Sequence, residues 1–339
     1  MPVLRLDPVR RRWVITGKRP PMPDALDSGE LCPFCPGNEG FTPPPIQQHT
    51  DASGHWDVRV FHDRAPLFRV EGGLDREPEG MFDRMNAVGA HEIVVETNHH
   101  GKTLAEHSPE HIARLLEIFR ARILDLKQDP RFRYVSVFKD QGLNRPAAEE
   151  HGHSQVLAIP VIPALVQTEL RWSQFHYQRK ERCLYCDILF QESQFNKRIV
   201  DESSDFVCLC PYASRFPYEI WILPVQHNSS FERDVGKEPR LVSLARFLKA
   251  NLLRVQKISD KLRLVLHTEP NLAAYGQQPD RWNTIHDDFH WHFEIYPELD
   301  GETTHFDVET FYYNPIPAEE AALVLRTVEL GTESVQPGT

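Results

Sequence analysis

Cys32-Pro-Phe-Cys35, then His100, then His151-Gly-His153 form one ordered set of residues, and Cys183-Leu-Tyr-Cys186, then His227, then His290-Trp-His292 repeat that order. The repetition predicts two similar halves, each with four metal ligands and one histidine left over. The register agrees, because Glu92-Ile93 begins eight residues before His100 and Glu219-Ile220 begins eight before His227. A chain of 339 residues also exceeds the size at which one hydrophobic core usually suffices.

Each half carries the same succession of elements around these residues. In the first, Val58–Phe61 and His91–Glu96 read as strands. A helix opens at Ser108-Pro109, a capping serine followed by proline, with Ile112, Leu115, Leu116, Phe119, Ile123 and Leu126 at helical spacing. The strand Tyr134–Phe138 then leads through a polar loop to His151–Ile159. In the second half the matching strands are Phe206–Cys210, Tyr218–Leu223, Leu262–His267 and His290–Tyr296, with a helix over 240–258 and a last one from Ala318. Strands dominate and one long helix crosses over in each unit, which predicts an α+β fold with mostly antiparallel sheets and crossing helices. The expected division is 1–172 and 173–330, with a boundary in the polar, aromatic stretch at 165–182 and a flexible tail at 331–339.

Composition narrows the function. Forty per cent hydrophobic residues with no run approaching the roughly 18 needed for a membrane span excludes a membrane partner. The N-terminus lacks a basic stretch followed by an apolar core, so a cytoplasmic location with reduced thiols is expected. A net charge of -11 argues against a nucleic-acid backbone as partner. In a reducing compartment, C-x2-C pairs backed by two histidines read as zinc ligands: Cys32, Cys35, His100 and His151 in one half, Cys183, Cys186, His227 and His290 in the other. His99 is an alternative to His100. Cys208 and Cys210 read as core packing. His151 and His153 share a strand face, so a metal holding His151 would brace His153, a neutral imidazole suited to nucleophilic attack. Gln155, next on that face, could donate its amide to a phosphoryl oxygen, and Gly152 permits close approach of other atoms. Arg10-Arg-Arg12 reads as a solvated turn, with phosphate steering as the alternative.

The run Leu6-Asp-Pro-Val, Trp13-Val-Ile, Lys18-Arg-Pro20, Cys32-Pro-Phe-Cys-Pro-Gly-Asn-Glu39, His100-Gly-Lys-Thr-Leu104, His151-Gly-His-Ser-Gln155 and His290-Trp-His-Phe-Glu-Ile-Tyr-Pro297 resembles the galactose-1-phosphate uridylyltransferase family, within the histidine triad superfamily. The resemblance implies two tandem histidine-triad-like domains. It implies a nucleotidyltransferase in which His153 attacks a nucleoside diphosphate sugar, releases a sugar 1-phosphate and passes the held nucleotide to a second phosphate. The alternatives are a phosphorylase or hydrolase of such sugars or of dinucleotides, and a zinc-stabilised nucleotide-binding protein with impaired turnover. Arg19 and Asp63 match phosphate- and nucleotide-contacting positions. In the approach loop, Asp140-Gln-Gly-Leu-Asn-Arg-Pro146-Ala-Ala148 lacks the family's usual Asn, Gly and Ser, which leaves Asn144 or Arg145 to supply a donor. Asp307 falls in the segment that faces the hexose in relatives. Two zinc ions per chain are expected, with another divalent metal as the alternative at the second site. Some relatives build that site from a Glu and three His, here Glu169, His267, His290 and His292; Cys183 and Cys186 favour the Cys pair. A homodimer is implied by the family alone.

Overall fold

The computed structural model describes residues 2–18, 31–51, 53–142, 151–236, 238–275, 279–299, 305–306 and 311–330. The first half contributes strands β1 (Val3–Leu6), β2 (Trp13–Thr16), β3 (Gln47–Thr50), β4 (Trp56–His62), β5 (Glu77–Glu79), β6 (Phe82–Asn86) and β7 (Ala90–Val95), then helix α1 (Pro109–Leu126) and strands β8 (Tyr134–Gln141) and β9 (His153–Ile159). Helices α2 (Ala164–Lys180) and α3 (Leu184–Phe195) follow. The second half contributes β10 (Ile199–Glu202), β11 (Phe206–Leu209), β12 (Ile220–Pro224), helix α4 (Glu238–Gln256), β13 (Leu262–His267), β14 (His292–Pro297) and helix α5 (Ala318–Thr327).

Ten strands form one antiparallel sheet in the order β10-β11-β12-β14-β13-β8-β9-β7-β4-β3. Reading outward from the central pair, β8-β9-β7-β4-β3 and β13-β14-β12-β11-β10 visit corresponding strands in the same sequence. The join is the β8–β13 pairing, in which Leu262 lies opposite Gln141 and Leu266 opposite Val137. A four-stranded sheet, β2-β1-β6-β5, sits apart from it.

The ten-stranded sheet buries both faces. On one, α1 and α4 pack against each other and against alternate strand residues such as Val135, Val137, Leu264 and Phe293. Pro109 and the Ser108 cap start α1 as its sequence requires, the Ser108 hydroxyl accepting the His111 amide at 3.2 Å. The other face packs against α2, α3 and the small sheet through Tyr134, Val166, Leu170, Tyr185, Leu4 and Met85. Cys208 and Cys210 are fully buried, in keeping with a packing role.

The boundary stretch at 165–182 carries most of helix α2. It is helical, because Val166, Leu170 and Ser173 recur at i, i+4 and i+7 and are buried, a stripe too narrow to show against the polar residues around it. Glu181 closes α2 in the left-handed conformation at φ 54°.

A buried ion pair ties helix to strand. Arg122 of α1 donates two 2.7 Å hydrogen bonds to Glu92 of β7, which is 1% exposed. Removing one partner of such a pair leaves a buried charge unmatched, at a cost of about 3–5 kcal/mol. Arg122→Ala is therefore expected to lower the urea midpoint of unfolding by that equivalent, with Glu92→Gln/Arg122→Met recovering most of it; an unchanged midpoint in Arg122→Ala would contradict the assignment.

Candidate active site

The Cys32–Cys35 turn, the segment after β7 and the start of β9 converge. Cys32, Cys35, His100 and His151 place their ligand atoms within 4.8 Å of one another. His151 Nδ1 lies 3.6 Å from both sulfurs and His100 Nδ1 lies 3.5 Å from Cys35 Sγ. A tetrahedral ion with metal–sulfur bonds of about 2.3 Å and metal–nitrogen bonds of about 2.0 Å sets sulfur and nitrogen about 3.5 Å apart, so the donor set fits. The outer nitrogen of His151 donates to Thr97 O at 2.7 Å, which aims Nδ1 at the sulfurs. His100, rather than His99, joins the cluster.

Cys183, Cys186, His227 and His290 form the second cluster. Cys186 Sγ lies 3.4 Å from His227 Nδ1 and 3.7 Å from His290 Nδ1. The outer nitrogens donate to His286 O and Pro224 O. The imidazole pairs cross at 80° in the first cluster and 78° in the second. The scaffolds differ, since Cys183 and Cys186 sit at the start of α3 whereas Cys32 and Cys35 lie in a turn. The Cys183 hydrogen bond, followed by those of His227 and His290, lowers the Cys186 thiol to about 3, while burial raises Cys32 to about 11. Metal binding displaces whatever thiol protons remain.

Beside the first cluster, His153 begins β9 and is 5% exposed. Its Nδ1–H donates to His151 O at 2.8 Å, which fixes the tautomer with the lone pair on Nε2. Phe34, between the two cysteines, packs its ring 5.2 Å from the His153 ring. Beneath the strand, Glu96 is buried and accepts from Lys139 Nζ at 2.8 Å and from the Ser154 hydroxyl. Burial opposes ionisation of Glu96, and Lys139 outweighs it, so the carboxyl stays below its ordinary range. Gly152 is needed for close approach: a Cβ there would lie 2.9 Å from Lys102 O and 3.3 Å from Glu96 Oε2.

Gln155 and Asp63 are brought together by a residue the sequence did not flag. His91 Nε2 contacts Gln155 Oε1 at 2.9 Å, and its Nδ1 lies 3.0 Å from Asp63 Oδ2. With Nε2–H donated to the oxygen, the Gln155 NH2 is turned away from His91. Arg19, Asn144 and Asp307 lie outside the described residues, as do Arg145, Pro146 and Ala148. Asp140 is engaged across the central strand pair by Arg263.

His292 mirrors His153 in donating Nδ1–H to the carbonyl of His290, two residues before it. Its surroundings are closed. It is fully buried among Tyr185, Trp221 and His267, and among the described residues Nε2 has no hydrogen-bond partner. Glu169, His267, His292 and Glu294 form a third cluster beside it. The Glu/His set and the Cys set that the sequence offered as alternatives therefore coexist, with His290 in the Cys set and Glu294 in the other. Arg215 donates to Glu294 at 2.6 Å. Burial would lower His267, but Glu169 and Glu294 raise it to about 9, so two carboxylates face two cations.

Comparison with known proteins places this geometry. The model of the galactose-1-phosphate uridyl transferase N-terminal domain matches residues 7–163. An ADP-glucose phosphorylase from Arabidopsis thaliana is 32% identical, over 97% of this chain and 93% of that protein. The chain belongs to the galactose-1-phosphate uridylyltransferase family. The Thermotoga maritima galactose-1-phosphate uridylyltransferase is 29% identical over 96% of this chain and 98% of its own. Among solved structures, the Arabidopsis thaliana ADP-glucose phosphorylase with bound ADP-glucose superposes with a TM-score of 0.74, at 28% identity over 97% of this chain and 99% of that one. A uridylyltransferase superposes at 0.77 with 23% identity over 96% and 97%, a likeness of fold. Among the described residues no helix is long and apolar enough to cross a membrane.

The raised His267 has a direction in pH. Its unfolded value is about 6.5, so the stabilisation is complete below about 6.5 and is lost as pH rises through about 9. Thermal melts from pH 6.5 to 9.5 are expected to show a loss of roughly 2–4 kcal/mol that His267→Gln lacks; parallel curves for the two proteins would remove the protonated imidazole from the account.

Proposed function

We propose that His153 is the nucleophile of a nucleotidyl transfer, with Gln155 as the amide that holds the transferred phosphoryl group. The chain is an enzyme of the family whose reaction moves a nucleoside monophosphate between a nucleoside diphosphate sugar and a sugar 1-phosphate. The observation that carries the assignment to His153 is the pair of fixed neighbours: His151 O takes the Nδ1 proton at 2.8 Å, and the four-donor cluster holds His151 itself. Nε2 attacks the α-phosphorus, a P–N bond forms, and the bond to the β-phosphate oxygen breaks to release the hexose 1-phosphate. A phosphate oxygen of the acceptor then attacks the same phosphorus, the P–N bond breaks, and Nε2 recovers its lone pair. Gln155, oriented by His91 and Asp63, donates to the phosphoryl oxygen as charge builds on it.

Asp63, Arg19, Asn144 and Asp307 are proposed substrate contacts on the strength of the family resemblance. The two Cys/His clusters are proposed zinc sites, two per chain, holding structure without an open coordination position. The division at 1–172 and 173–330 is supported by the mirrored strand order. A cytoplasmic location is proposed, in keeping with the reduced thiols that the Cys/His clusters require, and a homodimer is proposed from the family resemblance.

A second reading shares the first half-reaction and uses inorganic phosphate as acceptor. The relative at 32% identity, named an ADP-glucose phosphorylase, favours it.

Exchange of radiolabelled glucose 1-phosphate into ADP-glucose or UDP-glucose, with no second acceptor present, tests the double displacement. Wild-type enzyme is expected to catalyse exchange, His153→Ala to lose it, and Gln155→Ala to slow it about 100-fold. Exchange surviving in His153→Ala would overturn the assignment, and comparing inorganic phosphate with galactose 1-phosphate as acceptors separates the two readings. Elemental analysis is expected to return two zinc ions per chain in wild type and one in either Cys35→Ser or Cys186→Ser; a full complement in both variants would remove these thiolates as ligands.

A further inference from the structure

The Arg10-Arg-Arg12 turn joins β1 to β2, and its three arginines do not behave alike. Arg10 and Arg12 lie 3.7 and 3.8 Å from Asp7, whose carboxylate also accepts the Val9 amide. Arg11 adopts the left-handed conformation at φ 55° and lines a cavity of about 400 Å³. Arg76, Arg84, Arg133, Arg171 and Arg281 line the same cavity. They come from separate parts of the chain: the segment before β5, strand β6, the entry to β8, helix α2 and the turn before Trp282. Two carboxylates share the lining, Glu77 and Asp83, and Glu77 accepts from Arg84 at 2.7 Å. Among the described residues the lining is richer in arginine than in carboxylate, in a chain whose net charge is -11.

This cavity is separate from His153. It abuts Pro160–Ile162, past the end of β9. Strand β9 advances about 3.3 Å per residue, so the cavity lies roughly 20 Å along the sheet from His153. Neither metal cluster contributes to its lining.

We propose that this cavity binds a small molecule carrying a diphosphate group. Guanidinium forks from several directions suit the tetrahedral oxygens of linked phosphates, which take paired N–H donors at two centres. A multiply charged anion suits a lining in which Arg11, Arg76 and Arg171 stand exposed. The volume falls within the range of small-molecule sites, and Gln167, one helical turn before Arg171 on α2, adds an amide on the same face. Trp13 of β2 also lines the cavity and offers an aromatic face to a base. Inorganic pyrophosphate and a nucleoside diphosphate share the chemistry that the arginines recognise.

Isothermal titration of full-length protein with inorganic pyrophosphate, with ADP and with UDP tests the site, using wild type, Arg76→Glu/Arg171→Glu and Arg76→Lys/Arg171→Lys. Both arginines are exposed, so circular dichroism is expected to show folded variants. Pyrophosphate is expected to bind the wild type, at least about tenfold more weakly in the glutamate variant, and at intermediate strength in the lysine variant. The exchange reaction at His153 is expected to be unchanged in both, which separates this site from the catalytic one whether or not the nucleophile is correctly assigned. Tighter binding of ADP or UDP than of pyrophosphate, lost in Trp13→Ala, identifies a nucleoside diphosphate; equal binding identifies the bare diphosphate. Pyrophosphate binding of the same strength in the glutamate variant and the wild type, or no binding of any of the three at millimolar concentration, overturns the proposal.

Discussion

The clustering of Cys32, Cys35, His100 and His151 is the constraint on which the candidate active site depends. These donors come from a turn, from the segment after β7 and from a position two residues before β9, and no continuous secondary structure would hold all three together. Once His151 is held, His153 follows two residues on, and the backbone carbonyl of His151 becomes the acceptor that sets the His153 tautomer. The buried Lys139–Glu96 pair under the same strand removes the remaining freedom, since Lys139 also reaches His153 O at 3.4 Å.

The same construction occurs twice, and its outcomes diverge. His153 and His292 both donate Nδ1–H to the carbonyl two residues earlier, and each follows a histidine of a Cys/His cluster. His153 retains some exposure beside Phe34, whereas His292 is roofed by Tyr185 and Trp221 and faces Glu294 and the raised His267. Packing, rather than the histidine motif, is what distinguishes the two histidines. Burial lowers His292 to about 4, with the His267 charge adding to it, so it is a neutral core group.

The fold and much of the site were legible because their determinants are local or repeated. Ser108-Pro109 marks the start of α1, the apolar runs Ile93–Val95 and Val156–Ile159 mark β7 and β9, and the doubled Cys and His spacing marks both clusters. What escaped notice depends on tertiary contact. Helix α2 hides a three-residue buried stripe among charges. His91 is one more polar residue in a strand until Gln155 is set beside it on β9, and the six arginines of the cavity lie in six separate segments. That Glu294 completes a third cluster, leaving His290 to the cysteines, depends on what each residue meets in the folded chain, since His290 precedes β14 while His292 and Glu294 lie on it, and spacing alone assigns none of them to one ligand set or the other.

The most direct measurement of the central claim is intact-protein mass spectrometry at mildly alkaline pH, which preserves a phosphoramidate, after brief incubation with ADP-glucose and, separately, UDP-glucose. The account predicts added mass equal to one nucleoside monophosphate per chain, mapped by fragmentation to His153 and absent in His153→Ala. An adduct mapped to another residue, or turnover without any adduct, would contradict it.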